Sequence, residues 1–416
     1  MSKIDKLYFL GAGSTACLKL PTTKRQNDII KDKVFNNSND DFSAYVKYFF
    51  NKTNLDINNL YNILDSFIID NKSIYIKDKR YDKNDFLNFR NEIAFTIYNE
   101  FNTSIRENNK ASSYLFDFYK KLATKALEKK VREYSQDVAV KRDFIFTDYA
   151  IVNLNWDLYS IMPMFLAHQQ LNNVNNYYLS KSRNNAKLKI FNDLGMQFAC
   201  NARENKDIWY PYNESVASRI NQPEYGCSRV VTLVRSYFPH GLMNLYQCKC
   251  CGKHVLNLGD LKYEDIVTDR NLLENNEVLK CPFCGNPIKE FDLDVLLQSN
   301  FKIISNYLKE IRYDMINALK STNEIIFIGY SLPSDDADYM ILFRNIIGSN
   351  PNVKVKVVLY DSNSNKNEFK TYNTNNISQL NKDNQEIVNR YKNLFGENVL
   401  FNFAGSPECF KNEEIY

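Results

Sequence analysis

Apolar positions in this chain follow two patterns, and the switches between them mark its organisation. Lys6-Leu7-Tyr8-Phe9-Leu10 is a short, mostly apolar run that stops at Gly11-Ala12-Gly13-Ser14-Thr15 and passes into Ala16-Cys17-Leu18. That order predicts a buried strand, a tight turn and a helix start, the usual opening of a doubly wound nucleotide-binding fold. From about residue 28 to 138 the apolar positions recur at helical spacing, first as Phe42, Tyr45, Val46 and Phe49, later as Leu115, Phe118, Tyr119 and Leu122. This stretch reads as a mostly helical insert rich in Asn and Lys.

Strand signals return at Phe144-Ile145-Phe146 and at Ala150-Ile151-Val152, which runs into Asn153-Leu154-Asn155-Trp156-Asp157. Val230 to Val234 is β-branched and leads to Phe238-Pro239-His240-Gly241. A helix is expected from about Phe291 to Lys320. Glu324 to Ile328 is an apolar strand that ends in Gly329-Tyr330-Ser331, and Val353 to Tyr360 is another, followed by Asp361. Residues 362–386 read as a long surface loop. Strands separated by helical stretches predict an α/β fold with a Rossmann-like parallel sheet, whose ligands sit beyond the carboxyl ends of the strands. The expected division is a discontinuous sheet domain (1–28, 139–245 and 291–416), a helical insert (29–138) and a small cysteine-bearing module (246–290).

Composition adds limits. At 416 residues about two or three structural units are expected. The 53 Lys and Arg against 49 Asp and Glu give +4, and the pI of 8.3 falls short of the basic excess of a dedicated nucleic-acid binder. Direct nucleic-acid binding is therefore not expected. No apolar run reaches the roughly 18 residues of a spanning helix, so no membrane partner is expected. Nine cysteines without a secretory signal fit reduced thiols and a cytoplasmic protein. The 28 Tyr and 28 Phe are read as packing residues.

Five of those cysteines lie close together. Cys248-x-x-Cys251 and Cys281-x-x-Cys284 form two hooks that offer four thiolates to a tetrahedral zinc ion. Four protein ligands leave no open position, so the zinc is expected to be structural. Cys250 is the rival ligand within the first hook, and His254 is an unneeded one. The remaining candidates are ambiguous singly. The Gly11–Ser14 turn suits a phosphate at a helix start, yet it lacks the third glycine of the dinucleotide fingerprint and is equally a plain turn. His240, one of three histidines, suits a general base in a loop or a packing residue beside the cysteines. Asn155 and Asp157 suit the orientation of a hydroxyl, water or carboxamide, or helix capping.

Taken in order, these residues resemble the sirtuin family. Gly11-Ala12-Gly13 with Ser14 and Thr15 looks like its nucleotide-binding opening, and Asn153-Leu154-Asn155-Trp156-Asp157 stands where the family has Gln-Asn-Ile-Asp. Pro239-His240-Gly241 matches its His-Gly, paired hooks follow, Gly329-Tyr330-Ser331 resembles its Gly-Thr-Ser, and Asp361 stands near its ribose-binding Asn. Tyr-Ser-Leu-Pro with acidic residues after it, and His-Gly-x-x-Asn before the hooks, are similar to bacterial sirtuin-like domains, many of them NAD-consuming antiviral effectors. Pro21 is followed by Thr22-Thr23-Lys24-Arg25 where a protein deacylase has Asp-Phe-Arg.

The resemblance implies a sirtuin-like fold and NAD as substrate, hydrolysed to nicotinamide and ADP-ribose. It gives Asn155, His240 and Asp157 catalytic roles. Gly11, Ala12, Gly13, Ser14, Thr15, Gly329, Ser331 and Asp361 would bind the dinucleotide, with the amides near Gly13 and Ser14 facing its pyrophosphate and Ser331 and Asp361 serving the adenosine side. It also implies a homo-oligomer, a protein partner or another trigger that holds a toxic activity in check. NAD-dependent deacylation or ADP-ribosyl transfer, and an idle NAD- or ADP-ribose-binding module, are the alternatives.

Overall fold

The computed structural model describes residues 4–18, 23–36, 40–107, 113–133, 144–157, 160, 162–174, 177–179, 186–194, 199–200, 229–256, 281, 284–287, 293–295, 304–333, 336–364 and 366–416. The expectations for Pro21 and Thr22, and for the acidic stretch after Pro333 at Ser334 and Asp335, lie outside these residues.

The chain opens with β1 (Ile4–Leu10) and a short 3₁₀ turn over Ala12–Leu18. Then come α1 (Thr23–Asn36), α2 (Asp41–Phe49), α3 (Ile57–Ile69), a hairpin of β2 (Ile74–Ile76) and β3 (Lys79–Tyr81), α4 (Lys83–Glu107) and α5 (Ser113–Glu133). β4 (Phe144–Asn153), α6 (Met162–Val174), β5 (Tyr178–Leu179), β6 (Ala186–Asp193), β7 (Ala199–Cys200) and β8 (Arg229–Tyr237) follow. β9 (Gly241–Gln247), β10 (His254–Leu256) and β11 (Leu293–Val295) carry the cysteine region. The last third contains a helix Asn306–Ser321, β12 (Thr322–Ile328), a helix Ala337–Ser349, β13 (Lys354–Val358), a helix Lys382–Phe395 and β14 (Leu400–Asn402).

Eight strands form one sheet in the order β14-β13-β12-β1-β4-β8-β6-β5. Every pairing is parallel except that of edge strand β5 with β6. Neighbouring residues of β1 face opposite sides. The Tyr8 ring meets Phe118 of α5, while Phe9 meets Phe343 of the helix Ala337–Ser349. Helices therefore cover both faces, which is why β1 and β12 read as continuous apolar runs. The fold is a doubly wound Rossmann-like sheet.

After β1 the chain builds the β4–β8–β6 side, then returns past β1 to β12. The strand order thus reverses beside β1, the position where such sheets hold ligands. The strands there end almost level, with Leu10 opposite both Ile328 and Asn153, Ile328 opposite Val358, and Val152 opposite Tyr237. The loops that follow them share one edge.

Several elements differ from the sequence reading. The two runs at 144–146 and 150–152 are one strand with a register shift between Phe146 and Ala150. The expected helix from Phe291 begins only at Asn306, and Leu293–Val295 pairs with β9 as a strand. Residues 362–386 are no plain loop: they include a helical turn, Thr374–Ile377, and the start of the helix Lys382–Phe395. Asp361 is the reason. Its buried carboxylate accepts the Asn363 and Asn381 amides and the Asn384 side chain, which ties the returning chain to the helix cap.

Two apolar cores result. The larger lies on the sheet and includes Leu115, Phe118 and Leu122 of α5, which therefore packs with the sheet. The smaller joins Ile30, Phe42, Tyr45, Leu60, Phe86 and Phe89 of α1–α4, and includes Trp156 from the loop after β4 and Met243 of β9.

Candidate functional site

The loops after β1, β4, β8, β12 and β13 bring most of the sequence-predicted residues to the same edge of the sheet. Asn155 is the central link. Its Nδ2 donates to the Gly11 carbonyl (3.2 Å) and to Ser14 Oγ (3.1 Å), so both amide hydrogens are used. No protein donor meets its Oδ1 among the described residues. The side chain is nearly buried, held in one orientation, and leaves one acceptor for a hydroxyl or a water.

The preceding residues hold that loop in place. The Leu154 amide donates to the Leu10 carbonyl (3.0 Å). Asn153 accepts the Asn155 amide and donates to Ser160 Oγ (2.7 Å). Asp157 Oδ1 accepts the Ser160 amide (2.9 Å), and the Ser160 hydroxyl donates back to the Asp157 carbonyl. Asp157 thus does capping work locally, the second of the two roles its residue type suggested. Two tyrosines of α5 brace the same layer, Tyr114 donating to the Ser14 carbonyl and Tyr119 to that of Ser160.

His240, half-buried after β8, is anchored at both ring nitrogens. Nδ1 lies 3.2 Å from the Leu154 carbonyl and Nε2 lies 3.2 Å from the Tyr339 hydroxyl. Sequence reasoning missed Tyr339 and Ser160. Tyr339 occupies a helix position whose spacing looks like ordinary core, and nothing in the chain marks its hydroxyl. Burial pushes the Tyr339 phenol well up, so it stays a donor.

The glycines let two loops meet. Gly329 has φ +63°, and a Cβ there would stand 2.0 Å from the Ser14 nitrogen. A Cβ on Gly11 or Gly13 would come within 2.7 or 2.8 Å of the β12 loop backbone. Their absent side chains let two neighbouring loops pack backbone against backbone. The amides expected to face a pyrophosphate are already engaged. Gly13 donates to the Gly329 carbonyl (2.8 Å) and Ser14 to that of Gly11 (2.9 Å). Ala12 and Gly13 form the exposed part of the turn, while Thr15 is buried beneath it. Ser331 stands half-buried next to Leu332, whose φ of +51° is unusual for a branched residue. The Asp361 carboxylate, three times hydrogen-bonded within the fold, is inward-facing at this edge.

The cysteine cluster lies apart. The sulfurs of Cys248, Cys251, Cys281 and Cys284 all fall within 4.8 Å of one another. Cys248 and Cys284 are 3.7 Å apart, Cys251 and Cys281 3.6 Å. Sulfurs on a tetrahedral zinc at about 2.3 Å stand roughly 3.8 Å apart, so the donor set fits that ion. The hooks repeat one backbone pattern: Gly252 donates to the Cys248 carbonyl and Gly285 to that of Cys281, both at 2.8 Å and with φ near +70°. Cys250 stays outside the cluster and receives the Asn286 side chain, while His254 stacks on Tyr307. Amide donors, first the Asn286 backbone, bring the Cys284 thiol down to about 6, which suits a thiolate ligand.

No helix among the described residues is long and apolar enough to cross a membrane. No family model matches the chain, and no curated protein does. A solved structure described as "Structure of Sir2Tm bound to a propionylated peptide" aligns over 94% of this chain and 93% of that one, at 13% identity and a TM-score of 0.31. A likeness at that level fixes neither fold nor activity; the doubly wound topology rests on the strand pairing itself.

Proposed function

We propose that the sheet's carboxyl edge binds NAD and hydrolyses its nicotinamide–ribose bond, in a sirtuin-like domain. The observation that carries this reading is Asn155: a side chain clamped through both amide hydrogens, at a topological switch point, with its Oδ1 left as an acceptor and His240 anchored one residue away. In the reaction, the C1′–N bond breaks with its electron pair leaving on nicotinamide, which departs neutral and needs no acid. Water adds to the oxocarbenium-like carbon and loses a proton to His240, while Asn155 orients the water or a ribose hydroxyl. Asp157 holds the carboxamide end, Ala12 and Gly13 line the phosphates, and Ser331 serves the adenosine side, with Asp361 anchoring the loop beside it. Zinc, when bound by the four cysteines, supplies a structural cross-link only. Free NAD hydrolysis would be toxic, so the activity belongs to a triggered effector, in antiviral defence, that answers to a partner or to oligomerisation.

The test is product analysis of NAD incubated with the protein, with and without host or phage lysate, beside Asn155→Ala and His240→Ala. Nicotinamide and ADP-ribose from the unaltered chain alone, with losses of about 10²-fold or more in the variants, support the reading. O-acyl-ADP-ribose from an acyl-lysine peptide would point to deacylation instead. One observation favours a second reading, an NAD-binding module without turnover: the His240 nitrogens and the Gly13 and Ser14 amides are all satisfied within the protein. Tight NAD binding indifferent to His240→Ala, with no product in any arm, would establish it.

A further inference from the structure

Two hydrogen-bond contacts of the His240 ring bear on its protonation pattern. A carbonyl oxygen only accepts, so the ring nitrogen facing Leu154 must carry the hydrogen; that is Nδ1. A neutral ring then has its lone pair on Nε2, where the Tyr339 hydroxyl stands 3.2 Å away and donates. Tyr339 is well placed to hold this contact. Its ring is buried and packs edge-on against Phe9 at 5.8 Å and beside Tyr330 and Phe343.

We propose that Tyr339 is a positioning residue for His240: with the Leu154 carbonyl holding the hydrogen on Nδ1, its phenol occupies the Nε2 lone pair until a substrate hydroxyl or water takes its place. The proposal deepens the hydrolase reading and rests on it for the base role, although the tautomer stands by itself. Ionisable groups near the pair among the described residues include Arg312, Asp338 and Asp336. Arg312 stands over the Tyr339 ring at 5.8 Å and pairs with Asp338, and Asp336 accepts the Tyr330 hydroxyl. A hydroxyl both donates and accepts, so the phenol donates to the Nε2 lone pair of the neutral ring and turns to accept from Nε2–H of the protonated one, holding the ring in place in either state.

The test uses the full chain labelled with ¹⁵N-histidine. With three histidines in the sequence, His240→Gln assigns the resonance. Expected is a protonated Nδ1 and a hydrogen-bonded, unprotonated Nε2. In Tyr339→Phe, which keeps the ring packing, the Nε2 resonance should lose its hydrogen-bonded shift while Nδ1 stays protonated. An Nε2–H tautomer, or an unmoved Nε2 resonance in a folded variant, overturns the proposal. If NAD is turned over, the shape of the kcat/KM pH profile should change in Tyr339→Phe, whereas a merely structural loss would lower the rate at every pH and leave that shape in place. If NAD is not turned over, the hydrolase reading fails and the resonance data alone decide the role of Tyr339.

Discussion

The sheet edge and the helical insert are built on different terms. At the edge, residues far apart in sequence are locked by polar contacts: Asn155 to Gly11 and Ser14, His240 to Leu154 and Tyr339, Ser406 to the Gly13 carbonyl. In the insert, short local helices capped by Asp40 and Asp56 share an apolar core. Some of its buried polar atoms are poorly served: the hydroxyls of Tyr45 and Tyr61 and Asp65 Oδ2 meet no partner among the described residues. Reactive geometry needs side chains that cannot wander, and only the edge supplies that. Among the described residues of the insert, Asp65 and Arg90 form a buried ion pair at 3.0 Å.

The largest expected effect lies off both regions. Metal analysis should find one zinc per chain, and Cys281→Ser or a strong chelator should remove it. Structural zinc carries on the order of 10 kcal/mol in small modules, so the hooks should lose protection from hydrogen exchange while the sheet core keeps its own. Next, Gly329→Ala puts a Cβ into the Ser14 backbone, and a loss above about 4 kcal/mol in denaturant unfolding is expected; an unchanged midpoint would mean that the two loops separate readily. In the insert, Asp65→Ala should cost about 3–5 kcal/mol by removing the buried carboxylate that Arg90 pairs with, whereas Asp65→Leu with Arg90→Met should recover most of it. A double variant as poor as the single one would show that the pair does more than satisfy itself.

The smallest effect is a pH dependence. His168, buried with neither ring nitrogen partnered, has its proton affinity depressed by burial to about 3 from 6.5. Between those values the unfolded chain holds a proton that the folded chain refuses. Stability is therefore complete above pH 6.5 and falls as the pH drops, by up to about 2 kcal/mol between pH 6.5 and 5. His168→Leu should flatten that slope, as read from thermal unfolding at each pH.

What the sequence disclosed follows a physical line. Strands buried on both faces announce themselves as apolar runs, so β1, β12 and β13 were legible, and fixed cysteine spacing made the hooks so. Glycine is ambiguous in sequence because a phosphate, a turn and a neighbouring backbone all require the same missing Cβ. Here the neighbour is the Gly329 loop, more than three hundred residues away. α5 reads as part of the insert because helical periodicity tells which side of a helix is buried and not what buries it. Tyr339 was invisible for a similar reason: an inward tyrosine at helical spacing looks like core whether or not its hydroxyl has a task.

Trp156 belongs to both regions at once. Its neighbours in the chain are Asn155 and Asp157, its carbonyl accepts the Met243 amide, and its indole lies in the core of the insert. Binding free energies are reciprocal, so any change that a bound molecule makes in the insert's packing through Trp156 is matched by the effect of that packing on the molecule's affinity. The chain has two tryptophans, and in a Trp209→Phe background the emission of Trp156 would be a built-in optical gauge of that exchange, read from the far side of the site.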